Sequence, residues 1–151
     1  MNPLFVPSCL IFIDYDGVLQ TSALPDFIDF EFLPRFEAVL RDFPSAGVVI
    51  GSTHRCGFDL ATLRRIYSAD IQPRVIGANP DLPEGRAQNG RYSESLVFLA
   101  EAGLVSTPWI AVDDEVHLYP RDCPNLLPTN KYCGFTEDVE AELRTWLLKV
   151  A

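Results

Sequence analysis

The chain has 151 residues, 48% of them hydrophobic, and its 21 acidic and 12 basic residues give a formal net charge of −9 at pH 7. This length and hydrophobic content predict a single domain over residues 1–151 with a substantial core. The acidic balance disfavours a broad groove for duplex nucleic acid, because such grooves need many cations along the phosphate backbone. The N-terminus lacks the pattern of a signal peptide and no segment is long and apolar enough to span a membrane, so we expect a cytoplasmic protein without membrane contacts.

The first predicted element is a buried strand that ends in two carboxylates. The apolar run Cys9–Ile13 is followed by Asp14, Asp16 and Gly17. Residues two apart on an extended backbone point the same way, so both carboxylates could face one pocket at the end of the strand. Two carboxylates this close repel each other, which raises a pKa or favours a divalent cation. An acidic turn after a core strand is the simpler alternative.

The rest of the chain alternates between predicted helices and strands. Spacing and caps predict helices over 31–43, 58–67 and 92–101 and a last helix capped by Thr136, with strands over 48–51, 74–76, 109–112 and 126–127. Residues 77–90 carry many turn formers and predict one long loop, placed where it could flank an active site. This alternation predicts a three-layer α/β domain, in which helices flank a parallel sheet of about five strands.

Two further strand ends carry polar groups that suit phosphate or metal chemistry. The strand over 48–51 is followed by hydroxyls and a guanidinium, which suit phosphate oxygens: Ser52, Thr53 and Arg55. The strand over 109–112 ends, like the first, in acids: Asp113, Asp114 and Glu115. Thr53 and Arg55 are candidate substrate contacts. Alternatively, Ser52 caps the helix that follows it and Arg55 forms an ordinary surface ion pair.

Taken in order, these segments resemble the haloacid dehalogenase-like (HAD) superfamily of phosphatases and phosphotransferases. Its first motif is matched by Asp14-Tyr15-Asp16-Gly17-Val18, its second by Ser52 and its fourth by Asp113 and Asp114. The third motif is a Lys or Arg before the later strand, for which Arg91 is best placed. The resemblance spans most of the chain, from about Cys9 to the last helix.

Within that superfamily, Ser52-Thr53-His54-Arg55 and Arg91-x-x-Glu94 look closest to the small HAD domain of Swiss Army knife RNA repair proteins. The resemblance implies a Rossmann-like sheet with the first strand at its centre. Only residues 17–47 and 54–90 separate the first three motifs, and their predicted elements leave no room for a cap domain. We therefore expect a capless protein with an open site that accepts larger substrates.

The resemblance also implies roles for the matched residues. Asp14 is the expected nucleophile, which forms an aspartyl-phosphate, and Asp16 is the expected general acid and base. Ser52 and Arg91 are expected to bind the transferring phosphoryl group. The implied Mg²⁺ ligands are acids: Asp14, Asp16 through its backbone carbonyl, Asp113 and Asp114.

The third motif is the least specific of the four, because any surface cation can imitate it. Arg86 in the long loop and Lys131 beyond the fifth strand are rivals of Arg91. Arg91 could also pair with Glu94 on an exposed helix face, with no role in chemistry.

The sequence thus predicts a Mg²⁺-dependent phosphohydrolase acting on a phosphorylated substrate, and a phosphotransferase would use the same residues. The similar family suggests a nucleotide or a nucleic-acid end as the substrate, and a phosphorylated small molecule or a phosphorylated protein stays open as an alternative. The alternative is a non-catalytic metal-binding or interaction module that keeps the HAD fold. The oligomeric state and the role of Cys56, which follows the second motif, stay open.

Overall fold

A computed structural model describes residues 5–21, 30–51, 58–83 and 87–151. Within these ranges the strands are β1 (Cys9–Ile13), β2 (Ala46–Ile50), β3 (Val75–Ala78), β4 (Trp109–Asp113) and β5 (Leu126–Pro128). The helices are α1 (Leu33–Asp42), α2 (Leu60–Arg64), α3 (Gly90–Glu101) and α4 (Glu137–Val150). Two 3₁₀ turns, Gln72–Arg74 and Val116–Leu118, precede β3 and follow β4.

The five strands form one parallel sheet in the order β3-β2-β1-β4-β5, which places β1 at its centre. Alternate side chains of β1 enter two separate cores, because successive residues of a strand face opposite sides of the sheet. Cys9, Ile11 and Ile13 pack on the face covered by α1 and α4, and Leu10 and Phe12 pack on the face covered by α3. The predicted three-layer α/β fold is confirmed.

The connections between the strands are short in the described ranges. One helix, α1, lies between β1 and β2, and α2 with a 3₁₀ turn lies between β2 and β3. No cap domain is present among the described residues of these connections, which agrees with the capless type. No helix within the described ranges has both the length and the apolar character needed to cross a bilayer.

Most predicted elements match the observed ones to within two residues at each end. The helix predicted over 58–67 is wrong in extent, because α2 covers only Leu60–Arg64. Asp59 accepts a hydrogen bond from the Thr62 amide at 2.8 Å, which fixes the first turn after Phe58. At the other end, the Arg65 amide donates to the carbonyl of Thr62, and this tighter turn ends the helix.

The strand predicted over 74–76 is displaced, since β3 starts at Val75 and continues to Ala78, into the segment predicted as a loop. Arg74 ends the preceding 3₁₀ turn, and its guanidinium donates to three backbone carbonyls: those of Leu40, Phe43 and Ala46. These carbonyls provide the acceptors that a largely buried cation needs. The contacts tie the end of α1 and the start of β2 to β3.

Candidate active site

The pairing of β1 with β4 brings the first acidic residues together. Ile13 lies opposite Val112, so Asp14 and Asp113 leave the two strands at the same level. The Asp14 amide donates to the Val112 carbonyl at 3.2 Å, which continues the ladder one residue further. Both side chains are buried, with 5% of Asp14 and 1% of Asp113 exposed. The predicted convergence of the two strand ends therefore occurs in the sheet.

The loop after Asp14 is a tight turn. The carbonyl of Tyr15 accepts hydrogen bonds from three successive amides, those of Val18, Leu19 and Gln20. Gly17 has a φ of +79°, and a Cβ at this position would lie 2.5 Å from Cγ of Asp114. Glycine is thus required here twice, by the left-handed backbone and by the close approach of the fourth motif.

Three acids form a compact cluster at this edge of the sheet. Asp14, Asp113 and Asp114 each offer a carboxylate oxygen, and these atoms all lie within 4.8 Å of one another. Burial, together with the charge of Asp113, raises the pKa of the Asp14 carboxyl well above its ordinary value, against the opposing effect of Arg91. Burial is also the main reason that the pKa of Asp114 is raised.

Arg91, in the first turn of α3, is the described cation in contact with this cluster. Its Nη1 lies 2.7 Å from Oδ2 of Asp113 and 3.6 Å from Oδ2 of Asp14, and its Nη2 lies 3.3 Å from Oε2 of Glu115. Only 3% of Arg91 is exposed. Burial alone would lower the pKa of Arg91, but the charges of Asp113 and Asp14 outweigh it and raise the pKa above its ordinary value. Arg91 therefore stays charged.

The structure describes two of the three alternatives to a third-motif role for Arg91. Arg91 is buried against Asp113, so it does not lie on an exposed helix face, and Glu94 accepts a hydrogen bond from the Leu82 amide at 3.1 Å. Lys131 is exposed, with its Nζ 5.0 Å from the centre of the Tyr132 ring. The third candidate cation, Arg86, lies outside the described residues. Four other residues named in the sequence analysis also lie outside them: Ser52, Thr53, Arg55 and Cys56.

Asp16 differs from Asp14 in its surroundings. Its side chain is exposed and accepts a hydrogen bond from Nε2 of the buried Gln20 at 2.6 Å. The carboxylate of Asp16 does not belong to the described three-acid cluster. The prediction that Asp14 and Asp16 point the same way assumes an extended strand, and it does not apply because the chain turns immediately after Asp14.

Two further groups hold Asp113, and sequence reasoning did not assign them. The Tyr119 hydroxyl donates to Oδ2 of Asp113 at 2.9 Å, and the Glu115 amide donates to its Oδ1 at 3.0 Å. Burial, and then the charge of Asp113, raises the pKa of Tyr119 well above its ordinary value. Tyr119 therefore remains a neutral donor. Tyr119 reaches Asp113 because the chain folds back through the 3₁₀ turn Val116–Leu118, and hydrophobic periodicity does not identify residues placed in this way.

Comparison with known families assigns the chain to one of them. A family model described as the HAD domain in Swiss Army Knife RNA repair proteins matches residues 10–139. The chain belongs to this family. The match covers all the described motif residues of this HAD domain: Asp14, Asp16, Arg91, Asp113 and Asp114. Membership in the family indicates a hydrolase or phosphatase type of role. No curated protein and no solved structure matches the chain significantly.

The double requirement for Gly17 gives a prediction. Gly17→Ala should reduce the free energy of unfolding by more than Gly103→Ala, measured by urea denaturation. Gly103 is the matched control, because its φ is +71° but a Cβ there would have no atom within 4 Å. The control should lose about 1 kcal/mol, from backbone strain alone. Equal losses in the two variants would contradict the close contact between Gly17 and Asp114.

Proposed function

We propose that residues 1–151 form one HAD domain that acts as a Mg²⁺-dependent phosphohydrolase through an aspartyl-phosphate at Asp14. The observation that carries this proposal is the buried cluster at the ends of β1 and β4, in which Arg91 contacts both Asp14 and Asp113. Phosphoryl transfer is catalysed mainly by positioning and by charge stabilisation. A buried nucleophile between acids and a fixed cation provides both.

The acids of the site suit Mg²⁺, which prefers oxygen ligands. Oδ1 of Asp114 is buried and has no hydrogen-bond partner among the described residues, and burial raises the pKa values of both Asp14 and Asp114, which a bound cation would lower again. The residues that would hold the ion are the carboxylates of Asp14, Asp113 and Asp114 and the backbone carbonyl of Asp16. When bound, the ion would neutralise these acids and stabilise charge on the phosphoryl oxygens.

The two aspartates of the first motif divide the proposed chemistry. An Asp14 carboxylate oxygen attacks phosphorus, and the bond from phosphorus to the leaving oxygen breaks as Asp16 gives that oxygen a proton. Asp16 then takes a proton from water, whose oxygen attacks the same phosphorus and releases inorganic phosphate and free Asp14. The exposed position of Asp16 supports this division, since its carboxylate has to reach both the leaving group and water.

The cation Arg91 is proposed to hold the phosphoryl oxygens as well as the acids. Its Nε is buried and has no hydrogen-bond partner among the described residues. Ser52 is proposed to bind the same oxygens, and Thr53 and Arg55 are proposed to contact the rest of the substrate. Each of these assignments follows from the motif positions in the sequence.

For the substrate, we propose a phosphate at the end of a nucleic-acid strand. The matched family is described by its place in RNA repair proteins, and this description supports a nucleic acid over other phosphate esters. The net charge of −9 argues against a groove that follows a duplex, because neutralising duplex phosphates requires many cations. A strand end needs only a local site.

Replacement of the nucleophile tests the proposed reaction. Asp14→Asn should lower phosphate release from p-nitrophenyl phosphate and from a terminally phosphorylated oligonucleotide by at least about 1,000-fold. Its melting temperature should not fall, because the substitution removes a charge from a cluster of like charges. The control is Glu101→Gln, an exposed acid at the C-terminal end of α3, which should keep full activity. Undiminished turnover in Asp14→Asn would exclude this residue as the nucleophile.

The metal assignment has a test that needs no turnover. Titration with Mg²⁺ should raise the melting temperature, because a ligand that binds only the folded state stabilises it by mass action. Asp114→Asn should reduce this rise, since it removes a ligand charge while it keeps the side-chain shape beside Gly17. The Glu101→Gln control should respond like the wild type. A melting temperature that does not change with Mg²⁺ would refute the metal site.

A further inference from the structure

An open pocket of about 480 Å³ lies beside the acidic cluster, at the segment that follows the fourth motif. Its lining combines aromatic, apolar, amide and cationic side chains: Gln88, Val116, His117, Tyr119 and Arg121. We call this the flanking pocket. Pockets of this volume bind small molecules or single groups of a larger ligand. None of the roles proposed above uses Gln88, Val116, His117 or Arg121.

The flanking pocket is built on the segments that carry the candidate active site. The turn Val116–Leu118 follows the fourth motif directly, and Gln88 lies just before α3, whose first turn carries Arg91. The Asn89 amide donates to the His117 carbonyl at 3.3 Å, which joins the two segments. Tyr119 lines the pocket while its hydroxyl donates to Asp113. A ligand in the pocket would therefore lie directly beside the cluster.

The side chains of the pocket suit a flat, heteroaromatic group. His117 is exposed and provides an aromatic ring, and Val116, with 52% of its surface exposed, provides an apolar contact. Tyr119 also lines the pocket, but only 4% of its surface is exposed. The Gln88 amide can both donate and accept hydrogen bonds, as the edge of a nucleobase requires. Stacking on aromatic side chains with hydrogen bonds at the ring edge is how proteins hold single-stranded bases.

Arg121 adds a site for an anion at the same place. It is exposed, and within the described ranges it forms no ion pair. Guanidinium groups bind phosphate through paired N–H donors, so a phosphate next to the stacked base would fit here.

We propose that the flanking pocket binds the nucleotide next to the phosphate that is removed, with its base against His117 and its internal phosphodiester at Arg121. This inference rests on the proposed function and narrows its substrate to a single strand of at least two nucleotides with a terminal phosphate. A phosphorylated sugar or a free mononucleotide would lack the group that Arg121 contacts.

Steady-state kinetics on two substrates test the proposal. The substrates are glycerol 2-phosphate, which has neither a ring to stack nor a second phosphate, and a dinucleotide with a terminal phosphate. Arg121→Gln and His117→Ala should each raise KM for the dinucleotide at least about fivefold, with kcat nearly unchanged and with glycerol 2-phosphate turned over as by the wild type. The control is Lys149→Gln, at the C-terminal end of α4, which faces the opposite edge of the sheet from the strand ends.

A binding measurement separates this proposal from the proposed function. A dinucleotide without the terminal phosphate should bind the wild type and the Lys149→Gln control, and should bind Arg121→Gln and His117→Ala at least about fivefold more weakly, as followed by calorimetry. If no substrate releases phosphate but this pattern of binding holds, the pocket assignment stands and the phosphohydrolase proposal fails. If both pocket variants bind the dinucleotide like the wild type, or if the wild type does not bind it, the pocket assignment is wrong.

Discussion

The contact of the buried Arg91 guanidinium with Asp113 and Asp14 is the interaction on which the rest of the site depends. The guanidinium lies 2.7 Å from a carboxylate oxygen of Asp113 and 3.6 Å from one of Asp14. Burial and the charge of Asp113 raise the pKa of Asp14 well above its ordinary value, and the charge of Arg91 opposes this rise. Asp114 adds a third carboxylate within 4.8 Å of the other two, and burial raises its pKa as well. The cluster is therefore held together by the fixed cation Arg91, and its three carboxylates remain suited to a bound metal cation.

The parallel sheet explains why these residues meet. Because β1 is central and β4 is its neighbour, the first and fourth motifs leave the sheet side by side. The crossover from β3 to β4 runs through α3, and a helix that follows a parallel strand begins at the edge where the strands end. Arg91 is in the first turn of that helix, so the connection itself carries the cation to the acids.

Strand and helix periodicity predict a parallel sheet whose strands end at one edge. The resemblance to the HAD superfamily adds the central place of the first strand, from which the meeting of Asp14 with Asp113 follows. The contacts of Asp113 with Tyr119 and of Asp16 with Gln20 could not be predicted in this way. Both depend on turns, in which the direction of a side chain follows from individual backbone hydrogen bonds. Residues 77–90 are predicted as a loop because they contain many turn formers, although β3 continues to Ala78.

The most direct test of this account is a comparison of kcat for Arg91→Lys and Lys131→Met, with p-nitrophenyl phosphate as the substrate. Lysine keeps the charge of Arg91, so the protein should fold, but a single ammonium cannot contact two acids and the phosphoryl group with the same geometry. We expect kcat to fall at least about tenfold in Arg91→Lys, with a smaller change in KM, and to be unchanged in Lys131→Met. Wild-type kcat in a folded Arg91→Lys protein, together with a loss of kcat in Lys131→Met, would contradict the central place of Arg91.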